Sequence, residues 1–466
     1  MHRFLSVSAL LLLMCSCSPF QPQPRPRQPV PLPKSYPVSL EAATAREKWW
    51  EAFDSPELNR LVSDALDDNL DIRAARARLR QARAQARKAG AGLLPELNLT
   101  GEASKNQSYQ DHDLVTETTE VNAGLAASYE LDLWGRIRAG QQAALRSADA
   151  ALKDVQAAVV SVAGEVASAW VDLLAARQEI ALLEQQIEVN TTQLELQLMR
   201  FENGMATALD VSQQQEVVAA TRSELPQLKA EERLFTHRLA LLLGKADPAQ
   251  LQLSRQALPQ PIPMPDTGLP ADLLWSRPDV QAAYLRLLSA DWDTSVARAD
   301  RFPALSLSAS AALTSDSFSL AWADWISRLS SSLTGPLFDG GSRSAEVERT
   351  RAVAEELLAD YVATLLKALK DVHDAMVREA AQLETIQRRQ EELQAARQSR
   401  TQARLRYING QRSYLNFLDA LENVQRLERT ILQARAQLVK ERIALYRSLG
   451  RRWSPEVSEA QEARYR

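Results

Sequence analysis

The strongest constraint on this chain is that it is written twice. Asp71, Ile72, Ala74, Ala75, Leu79, Ala82 and Ala89 recur as Asp279, Val280, Ala282, Ala283, Leu287, Ala290 and Ala297, a constant offset of 208 positions. Pro95, Leu97 and Leu99 recur as Pro303, Leu305 and Leu307 at that same offset. Farther along, Gly135, Phe201, Asn203, Gly204, Leu209, Leu243 and Gly244 recur as Gly341, Tyr407, Asn409, Gly410, Leu415, Leu449 and Gly450, now offset by 206. A tandem duplication builds one supersecondary unit two times, so every element read in one half must have a counterpart in the other.

Each half reads as helix, two strands, very long helix, shorter helix. The strands show as alternation: Val121, Ala123, Leu125, Ala127, Tyr129, Leu131 and Leu133 are apolar, with Asn122, Ser128, Glu130 and Asp132 between them. Leu97, Leu99 and Ala103 alternate with Asn98, Thr100 and Glu102; Leu305, Leu307, Ala309 and Ala311 alternate with serines; Leu329, Leu333 and Leu337 mark the return. The long helices show as three-four spacing. Val155, Val159, Val162, Val166, Leu173, Ile180, Leu183, Ile187, Leu194 and Leu198 form one stripe, and Leu358, Val362, Leu365, Leu369, Val372, Met376 and Leu383 another. A helix of about 66 residues rises roughly 100 Å, and sustained heptads of this kind pack as coiled coils.

Strands and helices together point to a pore. In lipid every backbone donor and acceptor must be satisfied, so four alternating strands must join a closed barrel or lie against a core elsewhere. Spanning barrels start at about eight strands, so one chain cannot close alone and an oligomer is implied. Composition removes other classes. With 55 Lys+Arg against 59 Asp+Glu the net charge is −4, without the basic surplus that nucleic acid requires. Four histidines and two adjacent-region cysteines, Cys15 and Cys17, give no metal cluster, and no nucleophile elbow or phosphate loop occurs, so no catalytic residue, cofactor or enzyme activity is expected. Charge runs such as Arg73 to Arg87 read as solvated helix faces.

The N-terminus carries an address. Arg3 precedes an apolar run from Phe4 to Met14, which fits a signal peptide over residues 1–16 and is too short to span a bilayer. Met14-Cys15-Ser16-Cys17 resembles a bacterial lipobox, with Met14 standing where such motifs usually have Leu; Cys17 is the better acylation candidate, and a plain cleaved signal is the alternative. The covalent lipid implied is a diacylglycerol plus an N-acyl group on Cys17. Residues 17–40 then form a lipid-anchored, proline-rich segment, read as an extended tether, in which residues 18–37 hold eight of the 21 prolines. The first repeat occupies residues 41–244 with strands over about 96–133, a proline-containing linker 245–270, the second repeat 271–450 with strands over about 304–337, and a tail 451–466.

Trp49-Trp50 and Phe53, RPDV at 277–280, FPALSLSAS at 302–310, GPLFDGG at 335–341, RYINGQRSYLNFLDA at 406–420 and LYRSLGRRW at 445–453 occur in one order along the chain. In these segments the sequence resembles the TolC-like outer membrane factors, in the lipoprotein branch that includes OprM and CusC. The resemblance implies a mainly helical tandem-repeat protomer, three copies of which form a homotrimer with a 12-stranded transmembrane β-barrel continued by a 12-helix periplasmic α-barrel. A mixed belt of chain ends and inter-repeat segments surrounds the helical tunnel. It implies the Gram-negative outer membrane as location and outer-membrane lipid as surroundings. The function implied is an exit duct that passively conducts small molecules from an inner-membrane pump of the RND type through a periplasmic adaptor (membrane fusion) protein.

The resemblance also places the site. Phe201, Asn203, Gly204 and their counterparts Tyr407, Asn409, Gly410 are expected at adaptor-facing tips, where each long helix turns back. Leu415 and Asp419 match the family's closed aperture; four apart, they share a helix face, and three-fold repetition makes an apolar ring beside a carboxylate ring. Taken alone, Asp419 is a solvated helix carboxylate. Asp210 suits helix capping or adaptor contact equally, Trp322 and Trp325 suit an interfacial belt or loop packing, and Pro226 suggests a kink. Two rival functions share these features: a type I protein secretion duct, and a non-conducting lipid-anchored coiled-coil scaffold, which would have no use for the strands. The exported substrate is not written in the channel sequence.

Overall fold

The computed structural model describes residues 19–35, 48–110, 113–251, 253–254, 257–265, 270–272, 276–315 and 325–450. The signal segment, Cys17, Trp322 and the 451–466 tail lie outside the described residues. Seven α-helices are described: α1 Pro56–Asp68, α2 Leu70–Ala91, α3 Arg136–Glu202, α4 Ala208–Leu242, α5 Pro278–Ala299, α6 Ser342–Ile408 and α7 Tyr414–Leu449. The strands are β1 Glu96–Gln110, β2 Asp113–Leu131, β3 Ala304–Ser315 and β4 Trp325–Thr334. The duplication is visible in these bounds: α2 and α5 start and end 208 apart, and α3 and α6 start and end 206 apart. Each long helix has 67 residues. Pro226 lies inside α4, which continues on both sides of it.

The chain divides into two compact units, the first made of residues 1–29, 77–153 and 281–364, the second of 30–76, 154–280 and 365–466. The first holds the sheet, antiparallel throughout in the order β1-β2-β3-β4. Leu97 pairs with Ala127, Ala127 with Ala309, and Ala309 with Leu329, so the odd-numbered residues of all four strands share one face. That face carries Leu99, Leu125, Leu305, Leu307, Leu313 and Leu333; the other carries Glu96, Asn98, Ser128, Ser308, Arg328 and Ser330. Leu99 and Leu329 are each 83% exposed, and Leu125 and Leu333 are exposed with them, so among the described residues this apolar face is largely uncovered. Between β2 and β3 the approach is close: a Cβ on Gly124 would lie 2.6 Å from the Ala312 Cα, which accounts for glycine there. At the foot of the first hairpin Asp132 accepts from the backbone N–H groups of Ile137 and Arg138, each at 2.9 Å, and so caps the open end of α3. Asp339 does the same for α6, accepting from Gly341 and Arg343.

The second unit is helical and is built round an aromatic core. Trp49, Trp50 and Phe53 of a short 3-10 turn pack with Leu58 and Leu61 of α1, Trp170 and Leu173 of α3, Leu239 of α4, and Val439 and Ile443 of α7. Glu57 ties this core to the linker: one oxygen accepts from Trp170 Nε1 at 2.8 Å, the other from the Ser254 backbone N–H and hydroxyl. Residues 48–53 and parts of 245–265 thus pack on the helical core of this unit. Arg277 of the RPDV motif pairs with Asp279 at 2.6 Å and Asp371 at 3.4 Å and donates to the Ser448 carbonyl, supplying a cation to the C-terminal turn of α7. The heptad stripes are buried from Val155 to Leu183 and at Leu365, Val372 and Met376, as the spacing implies. Leu198 and Leu383, assigned to the same stripes, are 38% and 48% exposed, because one chain covers only part of each helix's circumference.

Arg442 of α7 is buried, donates to Glu379 of α6 through two nitrogens and to the Ile262 carbonyl of the linker, and Glu379 is 1% exposed. Removing one partner leaves a buried charge uncompensated, at a cost of about 3–5 kcal/mol. Glu379→Ala is therefore expected to lower the unfolding midpoint followed by helical circular dichroism, and Glu379→Leu combined with Arg442→Met to recover most of the loss.

Candidate functional site

Each long helix stops at the same device. Gly204 has φ +71° and Gly410 φ +66°, the left-handed conformation that a side chain disfavours. At the first turn Gly204 donates to the Phe201 carbonyl and Met205 to that of Arg200; at the second, Gly410 donates to Tyr407 and Gln411 to Arg406. This paired bonding is the Schellman arrangement, which satisfies the last carbonyls and reverses the chain. The shorter helices restart differently. Asp210 and Thr207 form a reciprocal capping box, with Thr207 N to Asp210 Oδ2 at 2.9 Å and Asp210 N to Thr207 Oγ1 at 3.2 Å. Asp210 is therefore a capping residue of α4. Ser413, at the matching place, makes no such cap.

The expected tip residues separate into two groups. Phe201, Asn203, Gly204, Asn409 and Gly410 are exposed, as are Met205 and Ile408 beside them. Tyr407 is half-buried: its hydroxyl donates to Gln197 Oε1 at 2.8 Å, its ring lies 5.1 Å from that of Tyr414, and the Arg200 guanidinium sits 4.9 Å above it. The start of α7 is two-faced. Tyr414, Phe417, Leu418 and Leu421 pack with Val217 of α4, whereas Leu415 and Asp419, one turn apart, are both exposed. Glu422 continues that outer face. Partial burial, then the charges of Asp419 and of Glu216 on α4, push its carboxyl above the ordinary glutamate range.

A further feature of this region is a hydrogen-bonded layer of buried amides. Asn190 is fully buried; its Nδ2 donates to Thr221 Oγ1 and Gln425 Oε1, and its Oδ1 accepts from Gln425 Nε2 at 2.9 Å. Gln214 Nε2 donates to the Asn190 carbonyl while its Oε1 accepts from the Tyr414 hydroxyl at 2.5 Å, and Gln186 donates to the Gln425 carbonyl. The layer joins α3, α4 and α7. Sequence reasoning missed it, although the signal was present: Leu183, Asn190 and Gln197 are seven apart, so polar residues take over an apolar heptad position near the turn. Buried polar groups in such a seam fix register, because sliding by a turn would leave them unpaired. Asn190→Ala is expected to cost about 1–3 kcal/mol by orphaning Gln425, measurable as a lower denaturant midpoint. Gln425→Leu added to it should cost less than the two single changes summed.

The family model described as outer membrane efflux protein matches residues 61–245 and 269–451, one match per repeat. The chain is 34% identical over 419 residues to the pyoverdine export outer membrane protein OpmQ of Pseudomonas aeruginosa, covering 87% of each. It is 29% identical over 433 residues to the toluene efflux pump outer membrane protein TtgC of Pseudomonas putida, covering 91% of this chain and 89% of that one. Among solved structures, the outer-membrane channel OprN matches with a TM-score of 0.85 at 31% identity, over 91% of this chain and 98% of that one. CusC matches with a TM-score of 0.86 at 25% identity, over 94% and 100%. These are transport ducts rather than enzymes. The chain belongs to the outer membrane efflux protein family: it is a TolC-like channel of the Gram-negative outer membrane, with a large periplasmic helical part.

Proposed function

We propose that three copies close a 12-stranded barrel and that the resulting duct carries small molecules outward, from an inner-membrane pump of the RND type through a periplasmic adaptor seated on the 201–204 and 407–410 turns. The observation that carries this reading is the sheet. Its odd-numbered face is apolar and uncovered, its even-numbered face is polar, and the outer edges of β1 and β4 have no strand partner within the described residues. An apolar outside, a polar inside and two open edges are what one third of a closed barrel requires. A coiled-coil scaffold has no need of such a sheet. Export of pyoverdine and of toluene, by the names of two relatives, favours small cargo over the secretion of proteins. Acylation of Cys17 is part of the proposal, and supplies an anchor additional to the barrel.

The gate assigned to Leu415 and Asp419 rests on their joint exposure at the start of α7, opposite the Tyr414–Leu421 cluster that holds the helix in place. Repeated three times, the leucines resist wetting and the carboxylates select cations. The Leu415→Ala, Asp419→Ala double variant is expected to raise single-channel conductance in planar bilayers several-fold and to weaken cation selectivity. Unchanged conductance and selectivity would move the gate elsewhere. pH adds an independent arm. Because Glu422 has a raised pKa, it takes up its proton before ordinary carboxylates as pH falls; its neutral form is the one favoured in the fold, stabilising below the ordinary glutamate range and lost as pH rises. Cation selectivity should therefore begin to decline at a higher pH than ordinary glutamates would titrate as the solution is acidified from neutral, and less so in Glu422→Gln.

A further inference from the structure

The segment read from sequence as a free tether is seated on the protein. In the first unit, Phe20 lies 5.1 Å from Phe302 at the foot of β3, and Phe302 in turn lies 4.9 Å from Trp134, whose Nε1 donates to the Pro303 carbonyl. Five residues on, Arg25 makes a two-pronged contact with Asp291 of α5, Nε to Oδ2 at 2.7 Å and Nη2 to Oδ1 at 2.8 Å, and the Asp291 side chain is only 10% exposed. The Tyr284 hydroxyl of α5 donates to the Arg25 carbonyl at 3.2 Å, and the Tyr361 hydroxyl of α6 donates to the Arg27 carbonyl. The Arg27 guanidinium lies 5.5 Å over the Tyr284 ring.

These contacts form a pattern matched to one kind of ligand. A polyproline II strand has no internal hydrogen bonds, and at Pro22, Pro24 and Pro26 it has no N–H to satisfy; what it offers is carbonyl oxygens and side chains at regular intervals. Two residues of such a strand advance about 6 Å. The Tyr284 and Tyr361 rings are 5.4 Å apart, and their hydroxyls reach carbonyls two residues apart. Paired aromatics that donate to carbonyls, with a carboxylate to take an arginine fork, are the chemistry by which proline-rich peptides are read.

We propose that α5 and α6 carry a polyproline-recognition surface whose occupant is the chain's own Phe20–Arg27 strap, read through Asp291, Tyr284 and Tyr361. The strap is thereby a positioned element: it holds the N-terminal end of the described chain against the aromatic cluster at the strand feet. The groove reads an arginine rather than charge alone, because a lysine at position 25 cannot make the two-pronged contact.

Limited trypsin digestion of the full-length protein tests this. Arg25–Pro26 is resistant, so Arg27–Gln28 is the one tryptic bond between residues 19 and 33. In the wild-type protein this bond is expected to be protected. Asp291→Ala, and separately Tyr284→Phe with Tyr361→Phe, should speed its cleavage by about tenfold or more, by loss of a charged and of two neutral hydrogen-bond sets respectively. Arg25→Lys should fall between them and wild type. The two Tyr→Phe changes preserve ring packing, and cleavage at other arginines serves as the control for folding. Cleavage of wild type as fast as of the variants, or variants cleaved no faster with the other sites unchanged, would overturn the proposal.

Discussion

The interaction on which everything else depends is the backbone hydrogen bond in lipid. A strand edge in hydrocarbon has no water to turn to, so a four-stranded sheet with two open edges is incomplete in a membrane. Within the sheet the debt is settled: β1, β2, β3 and β4 pair along their shared lengths, and the register places every leucine of the apolar set on one face. At the outer edges of β1 and β4 no strand pairs among the described residues, and the proposed trimer follows from that shortfall rather than from any interface residue. The short strands suffice, since about 9–11 tilted residues cross a bilayer and the shortest here has 10.

Given a barrel, the remaining devices hold long helices to it and keep them in register. Asp132 and Asp339 cap α3 and α6 directly after the strands, each accepting from two backbone N–H groups at the helix start. At the other end of each long helix a left-handed glycine reverses the chain. Between these points the sequence uses two kinds of seam. An apolar heptad packs tightly but tolerates slippage by a turn, whereas the Asn190–Gln425–Gln214 layer does not, and it lies on the stretch leading to the reversals, where a slip would displace Leu415 and Asp419. Stability thus comes from the Trp170 core and positional accuracy from the amides.

Much of this was legible in the sequence, and for physical reasons. Period two in 97–103, 121–133 and 305–311, three-four spacing over Val155–Leu198 and Leu358–Leu383, and the glycine reversals are local signals, and the duplication let each half check the other. The tip and gate assignments rest on resemblance, because nothing in a lone Leu415 or Asp419 distinguishes it from other exposed helix residues. What sequence reading missed was long-range: the strap's seat on Asp291 joins residues 266 apart, and the amide layer joins Asn190 to Gln425 across 235. A proline-rich stretch read alone has no packing partner to suggest, so it reads as a tether. Tyr407 was expected at the adaptor-facing tip from its place in the turn, yet a ring three residues before the reversing Gly410 can fold back onto Tyr414, and it does.

The central claim is that one chain is one third of a closed barrel. Native mass spectrometry of the protein extracted from membranes in mild detergent tests it most directly. The account predicts a single species of three times the mature chain mass, which falls apart only on conditions that also melt the sheet. A stable, folded single chain with its strands intact, in detergent and in bilayers alike, would contradict it.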